Sequence, residues 1–139
     1  MKTVIFICKH NSARSQMAEG ILKRYFGNYF DVFSAGIEPT QVHPLAVEVM
    51  SEIDIDIAHN KSKNITEFIN KQFEYVITVC DHAKEVCPFF PNGKKLIHKG
   101  FADPSIPTNA KVDMIDTFRK SRDSIKQWIL SFFEQLIKD

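Results

Sequence analysis

The sequence predicts an α/β fold, a parallel sheet with helices on both faces, and three observations carry that prediction. Short β-branched and aromatic runs alternate with stretches of helical periodicity, two of those runs end on a cysteine, and an apolar stripe of helical period fills the C-terminal end. Residues 2–8 (KTVIFIC) read as a buried parallel strand. From Ser12, the expected N-cap, Met17, Ala18, Ile21, Leu22, Tyr25 and Phe26 recur at helical spacing until Gly27. Residues 30–35 (FDVFSA) form a second strand closed by Gly36, and Pro44 opens a helix through Ala46, Val47, Val49, Met50 and Ile53. Beyond a polar stretch at 54–63, a helix is expected around 65–70, a strand at 75–79 and a weaker fourth strand at 95–98. A loop follows, marked by Gly100, Pro104, Pro107 and Asn109, and a long helix closes the chain at 114–137. With no repeat, linker or low-complexity tract, residues 1–139 are read as a single domain.

Composition narrows the function. At 44% hydrophobic residues and a formal net charge of +1, the chain has enough apolar material for a core and no large field of one sign. Neither nucleic acid nor an anionic membrane is therefore expected as a partner. No apolar run approaches a membrane span, and a cytoplasmic location is expected. Three cysteines, Cys8, Cys80 and Cys87, cannot all pair within one chain, and a reducing compartment keeps them as thiols unless oxidation is part of the chemistry. His43, His59, His82 and His98 have no metal-ligand spacing and read as structural or surface residues, while His10 either tunes Cys8 or, as expected here, faces solvent. No metal and no bound cofactor are expected.

Ligands of parallel sheets bind at the carboxyl ends of strands, where Cys8, Cys80 and the Asp103 loop all fall. The first of these ends is CKHNSARS, residues 8–15. A loop that winds from a strand into a helix N-terminus turns several backbone N–H groups inward as a cradle for a tetrahedral oxyanion. Cys8 sits at its base, favoured as a thiolate by the helix dipole and by Arg14, whose planar fork also holds two anion oxygens. Ser15 is placed to donate to the sulfur, and Asn11 to bond the loop's own backbone.

CKHNSARSQMAEG resembles the phosphate loop of the low-molecular-weight tyrosine phosphatase superfamily, and most of all that of its thioredoxin-coupled arsenate reductases. FSAGIEP at 33–39, HPLAVEVM at 43–50, IDIDIAHNKS at 53–62, ITVC at 77–80 and FADP at 101–104 extend the likeness over nearly the whole chain. The resemblance implies a three-layer fold, a four-stranded parallel sheet flanked by helices. It further implies Cys8 as nucleophile, Arg14 as oxyanion binder, Asp103 as general acid, and Lys9, His10, Asn11, Ser12, Ala13, Arg14 and Ser15 as the substrate-binding loop. Lys9-His10 stands where many members carry a small residue and glycine, and Ala13 replaces a frequent cysteine.

Two enzyme readings share this cradle. A phosphatase needs only water after the first attack, whereas a reductase needs further thiols and leaves a disulfide to be reduced from outside. Cys80 and Cys87, seven positions apart, resemble the redox pair of the reductases, and Ser105 stands where the phosphatases usually place an aromatic residue. The implied relay runs from Cys8 to Cys80 to Cys87, takes arsenate as substrate, and is regenerated by thioredoxin or a similar dithiol; Pro88 disfavours a continuous helix through the 80–90 segment, which must partly unwind. A monomer is expected. A non-enzymatic oxyanion- or metal-binding thiol module is the third reading, and zinc usually wants four ligands at closer spacing. Some family members bind an alkali cation through residues matching Asn11, Glu19 and Ser34. Here Lys61 and Lys63 occupy the remaining positions; either a lysine reaching Glu19 replaces that charge or both lysines are solvated, and no potassium dependence is expected.

Overall fold

The computed structural model describes residues 1–81, 93–106 and 113–138. Four parallel strands, β1 (Lys2–Cys8), β2 (Phe30–Gly36), β3 (Phe73–Thr78) and β4 (Gly93–His98), make one sheet in the order β2-β1-β3-β4. β1 is central, and Val4 through Cys8 are buried along its length, which is why the run lacks polar alternation. Its register sets Cys8 against Gly36 of β2 and Ile7 against Thr78 of β3. All the strand ends that carry chemistry therefore lie on one rim.

Helices α1 (Arg14–Phe26), α2 (Pro44–Ser51) and α3 (Met114–Lys138) pack against one another. Phe133 of α3 sits among Phe6, Phe26, Phe30 and Tyr75 at edge or tilted geometry, joining that helix layer to the sheet. Phe33, one residue out of step with Val32 on β2, meets Phe68 and Phe73 instead. The helix expected at 65–70 is a single 3₁₀ turn, Ile65–Glu67. Asn64 caps it and Glu67 accepts from the Asn64 N–H as a capping box, and the chain then turns again, with Lys71 N–H bonded to the Phe68 carbonyl, before β3 begins. β3 begins two residues earlier than expected and β4 two residues earlier, both drawn out by pairing between Phe73 and Gly93.

α2 and α3 are tied by Glu52. Its carboxylate accepts from Arg119 and from Arg122, whose Nη1 also donates to the Val49 carbonyl at 2.8 Å. Hydrogen bonds from those two guanidinium groups hold the Glu52 carboxyl down to about 2. No helix among the described residues is long and apolar enough to cross a membrane.

Candidate active site

The loop between β1 and α1 owes its shape to where its carbonyls go. The Cys8, Lys9 and His10 carbonyls accept from the N–H groups of Ile37, Glu38 and Thr40, the Ser12 carbonyl accepts from His43 N–H, and the Asn11 carbonyl accepts from Ser62 Oγ. In a planar trans peptide the next residue's N–H points the other way. The N–H groups of residues 9–13 are thus turned away from the 37–43 and 62 segments, as a cradle requires. Gly36 permits this closeness, because a Cβ there would lie 2.7 Å from the Asn11 nitrogen.

Asn11 is the keystone of the loop, in the left-handed region at φ 49° and fully buried. Its Oδ1 accepts from the Lys63 backbone N–H at 3.0 Å, a group that can only donate, so the amide orientation is fixed. Nδ2 then donates to Ser15 Oγ at 2.7 Å and to Ser34 Oγ at 3.0 Å. Ser34 gives its own hydrogen to Glu19 Oε1, and Ser15 Oγ lies 2.9 Å from Cys8 Sγ, a pair in which either atom can donate. Cys8 is 2% exposed, with the Ser15 hydroxyl as the hydrogen-bond partner of its sulfur. The expectation that Asn11 bonds its own loop's backbone is corrected: its side chain ties the loop to β2 and to residue 63.

The expected Ser12 cap is also not formed. α1 starts at Arg14 with Ala13 in the cap position and no side-chain cap bond, because Ser12's turn is committed to His43. The first helical N–H groups thus meet no side-chain acceptor, which leaves them for an anion.

Arg14 Nη1 donates to the Phe101 carbonyl at 3.0 Å, and Nη2 stands 3.6 Å from Asp103 Oδ2. Asp103 Oδ1 accepts from both the N–H and the hydroxyl of Ser105. Burial pushes the Asp103 carboxyl up, but the two Ser105 hydrogen bonds, with the Arg14 and His10 charges behind them, outweigh it and hold the group below the usual range. Cys8, His10, Ser12, Ala13, Arg14, His43, Asp103 and Ser105 enclose a cavity of about 50 Å³. It has room for a bare tetrahedral anion and not for a phenyl ring.

A wider groove of about 530 Å³ adjoins it, lined by Lys9, Arg14, Cys80, Asp81, Phe101 and Asp103 among others. Cys80 is buried and reduced, one residue beyond Val79, whose N–H donates to the Ile7 carbonyl. The structure thus brings Cys8, Arg14, Asp103 and Cys80 to one rim, while Cys87, His82 and Pro88 lie outside the described residues. Asn11 and Ser15, expected to bind substrate, are fully buried supports, and Lys9 faces the groove. His10 does not simply face solvent: it is half-buried, lines the cavity and hydrogen-bonds the Glu38 carbonyl at 2.9 Å.

Sequence reasoning missed His43 and Ser105 as cavity residues. His43 caps α2 through Nδ1 and lies tilted against the Phe118 ring, and the bond from its N–H to the Ser12 carbonyl brings it to the cavity, a closure visible only in three dimensions. At Glu19, Lys63 approaches to 3.9 Å, yet Lys23 is nearer at 2.6 Å; Lys61 offers only its carbonyl, to Gln16 and Lys63. The i,i+4 spacing of Glu19 and Lys23 was the available signal. No group of three or more potential metal ligands occurs among the described residues.

Residues 3–139 match the family model of the low molecular weight phosphotyrosine protein phosphatases. The chain is 43% identical over 133 residues to an arsenate reductase of Halalkalibacterium halodurans, covering 96% of each. Among solved structures it superposes on an arsenate reductase in the phosphate binding state with a TM-score of 0.83 and 31% identity, covering 97% of this chain and 98% of that one. A thioredoxin-dependent arsenate reductase of Corynebacterium glutamicum gives a TM-score of 0.66 at 28% identity, over 94% of this chain and 61% of that one. Cradle, sheet order and relatives agree: the chain belongs to the low molecular weight phosphotyrosine protein phosphatase family, on its arsenate reductase side.

Proposed function

We propose that the protein reduces arsenate to arsenite through a relay of Cys8, Cys80 and Cys87, recharged by an external thioredoxin-like dithiol. The observation that carries this reading is Cys80, a second buried thiol on the same rim as Cys8 that borders the groove beside Arg14 and Asp103. Hydrolysis has no use for a thiol there. The arsenate reductases among the relatives support the substrate, and the thioredoxin-dependent neighbour supports the reductant.

Arsenate enters the cradle against the N–H groups of Lys9 to Ala13 and takes Nη2 of Arg14 from Asp103. The incoming negative charge raises the proton affinity of Asp103, which takes up a proton and passes it to the departing oxygen. The Cys8 sulfur bonds to arsenic and water leaves. Cys80 then attacks the Cys8 sulfur: the S–S bond forms, the S–As bond breaks, and arsenic keeps the electron pair, going from As(V) to As(III). Cys87 attacks Cys80, freeing Cys8 and leaving Cys80–Cys87 disulfide for the dithiol. All three thiols come from one chain, so a monomer of one domain suffices, in a reducing compartment such as the cytoplasm.

Arsenite released per enzyme, with disulfides mapped by peptide mass, tests the relay. Cys80→Ser should release none, and Cys87→Ser should release one equivalent and trap Cys8–Cys80. Sustained thioredoxin-linked turnover by Cys87→Ser overturns the relay; a parent that hydrolyses aryl phosphates and leaves arsenate untouched is a phosphatase.

A further inference from the structure

β3 and β4 end in a polar chain that the relay as described leaves unused. The Thr78 hydroxyl lies 2.9 Å from His98 Nδ1, and His98 Nε2 lies 3.1 Å from Asp81 Oδ1. A carboxylate only accepts, so Nε2 carries the hydrogen; in the neutral ring Nδ1 then accepts from the Thr78 O–H. Both bonds run one way, from the hydroxyl through the ring to Asp81.

The inner end of this chain is fixed. Thr78 is 5% exposed, its carbonyl accepts from Lys99 N–H, and the next residue is pinned on both sides, Val79 N–H to the Ile7 carbonyl and Phe101 N–H to the Val79 carbonyl. The outer end is the residue that directly follows Cys80. Gly100 leaves the space for it, since a Cβ there would lie 3.0 Å from Asp81 Oδ1 and 3.2 Å from His98 Nε2. The frame that holds His98 also carries Phe101, whose carbonyl binds Arg14. One short stretch thus ties the position of Cys80 to the anion-binding fork.

We propose that Thr78, His98 and Asp81 are positioning residues that latch the chain behind Cys80 and so keep its thiol in reach of Cys8 for the displacement that expels arsenite. This rests on the relay reading above. The bond changes are those of that step: S–S forms, S–As breaks, and the electron pair goes to arsenic. Because the Asp81 side chain is 88% exposed, its contact has the strength of a surface pair, and losing it should slow the step about two- to fivefold.

Single-turnover formation of the Cys8–Cys80 disulfide, followed in a Cys87→Ser background after adding arsenate, tests the latch. Asp81→Ala should slow it. Asp81→Asn, which keeps an oxygen for His98 Nε2, should restore the rate. Alkylation of Cys8 and its protection by inorganic phosphate should be the same in every variant, which a general loosening of the fold would not leave untouched. A parental rate in Asp81→Ala, failure of Asn to rescue, or a parallel loss of phosphate protection each overturns the latch. If the Cys87→Ser protein itself releases no arsenite, the relay is wrong and the latch falls with it, an outcome distinct from the other three.

Discussion

Cys8 and Cys80 are equally buried, each 2% exposed, at the ends of neighbouring strands, yet the polar groups behind them differ in kind. Behind Cys8 lies a closed set: Asn11, Ser15, Gln16 and Ser34 have no exposure at all, and each is bonded to another member or to Glu19, Asn60 or the 61–63 backbone. Among the described residues next to Cys80 in the chain, a line of bonds runs from Thr78 through His98 and ends in solvent at Asp81. Asp103, between the two, is held by one serine and a 3.6 Å ion pair. The difference follows the chemistry. Stabilising a developing oxyanion rewards donors that do not reorganise, whereas thiol exchange requires groups that trade partners.

The comparison breaks most visibly at Arg14. Arg14→Lys keeps the charge and loses the fork that reaches Phe101 and Asp103 together, so arsenate turnover should fall about 10²–10³-fold, as for loss of an oxyanion donor. Thermal stability should change less, since lysine keeps the positive charge beside Asp103. Steady-state kinetics with arsenate measure this, and turnover within tenfold of the parent removes Arg14 from the oxyanion role.

A second break targets the closed set through stability. Asn11→Ala leaves Ser15, Ser34, Gln16 and the Lys63 N–H each short of a buried partner and puts alanine at φ 49°. At about 1–3 kcal/mol for a buried group left unsatisfied, a loss of about 3–5 kcal/mol is expected in urea denaturation. Asp81→Ala, at the solvent end of the other line, should cost under about 1 kcal/mol. Similar losses for the two would mean that the settings of the two thiols do not differ.

Asp103 sharpens the contrast through pH. Its carboxyl is held low by Ser105, Arg14 and His10 despite burial, so in the empty site it is a carboxylate at neutral pH, paired with Arg14. An entering anion reverses that balance and draws a proton onto Asp103, so anion affinity should fall as pH rises. Sulfate, which does not titrate near neutrality, isolates the effect. Calorimetry in buffers of unlike ionisation heat should find proton uptake on sulfate binding that disappears in Asp103→Asn, whose affinity should be flat with pH. Uptake unchanged in that variant would move the proton to another group.

What the sequence made legible was whatever depends on residues close together in the chain. The run from strand through Cys8 to Arg14 and helix lies within a few residues, and its order alone implies an anion cradle. The Asp103 loop follows a strand end, so the parallel topology brings it to the same rim. Features that need distant segments to close stayed hidden: Ser12 reads as a cap until His43 claims its carbonyl, and Ser105 reads as a missing aromatic until its two bonds to Asp103 are seen. The 65–70 segment has helical composition, but one 3₁₀ turn is followed by a tight turn from Phe68 to Lys71 that leads into β3. Lys63 was reached through family likeness and Lys23 overlooked, although four residues on a helix from Glu19 is a local signal.

The smallest expected effect is none, and it concerns the far end of the closed set. Glu19, 5% exposed, accepts from Ser34 and Lys23 and faces Lys63 at 3.9 Å, so two ammonium groups already balance one carboxylate. Burial, with the Lys23 charge adding to it, holds the Lys63 ammonium below the ordinary lysine range in spite of Glu19. A third cation at this site would meet two like charges within a few ångströms. Melting temperature and arsenate affinity should therefore be equal in potassium and sodium at matched ionic strength. A rise in either with potassium would mean that Lys63 swings away from Glu19 to admit the ion, and Lys63→Met, which keeps the stem and removes the charge, should then enlarge the response, whereas a Lys63 that stays in place predicts a first potassium effect only in that variant.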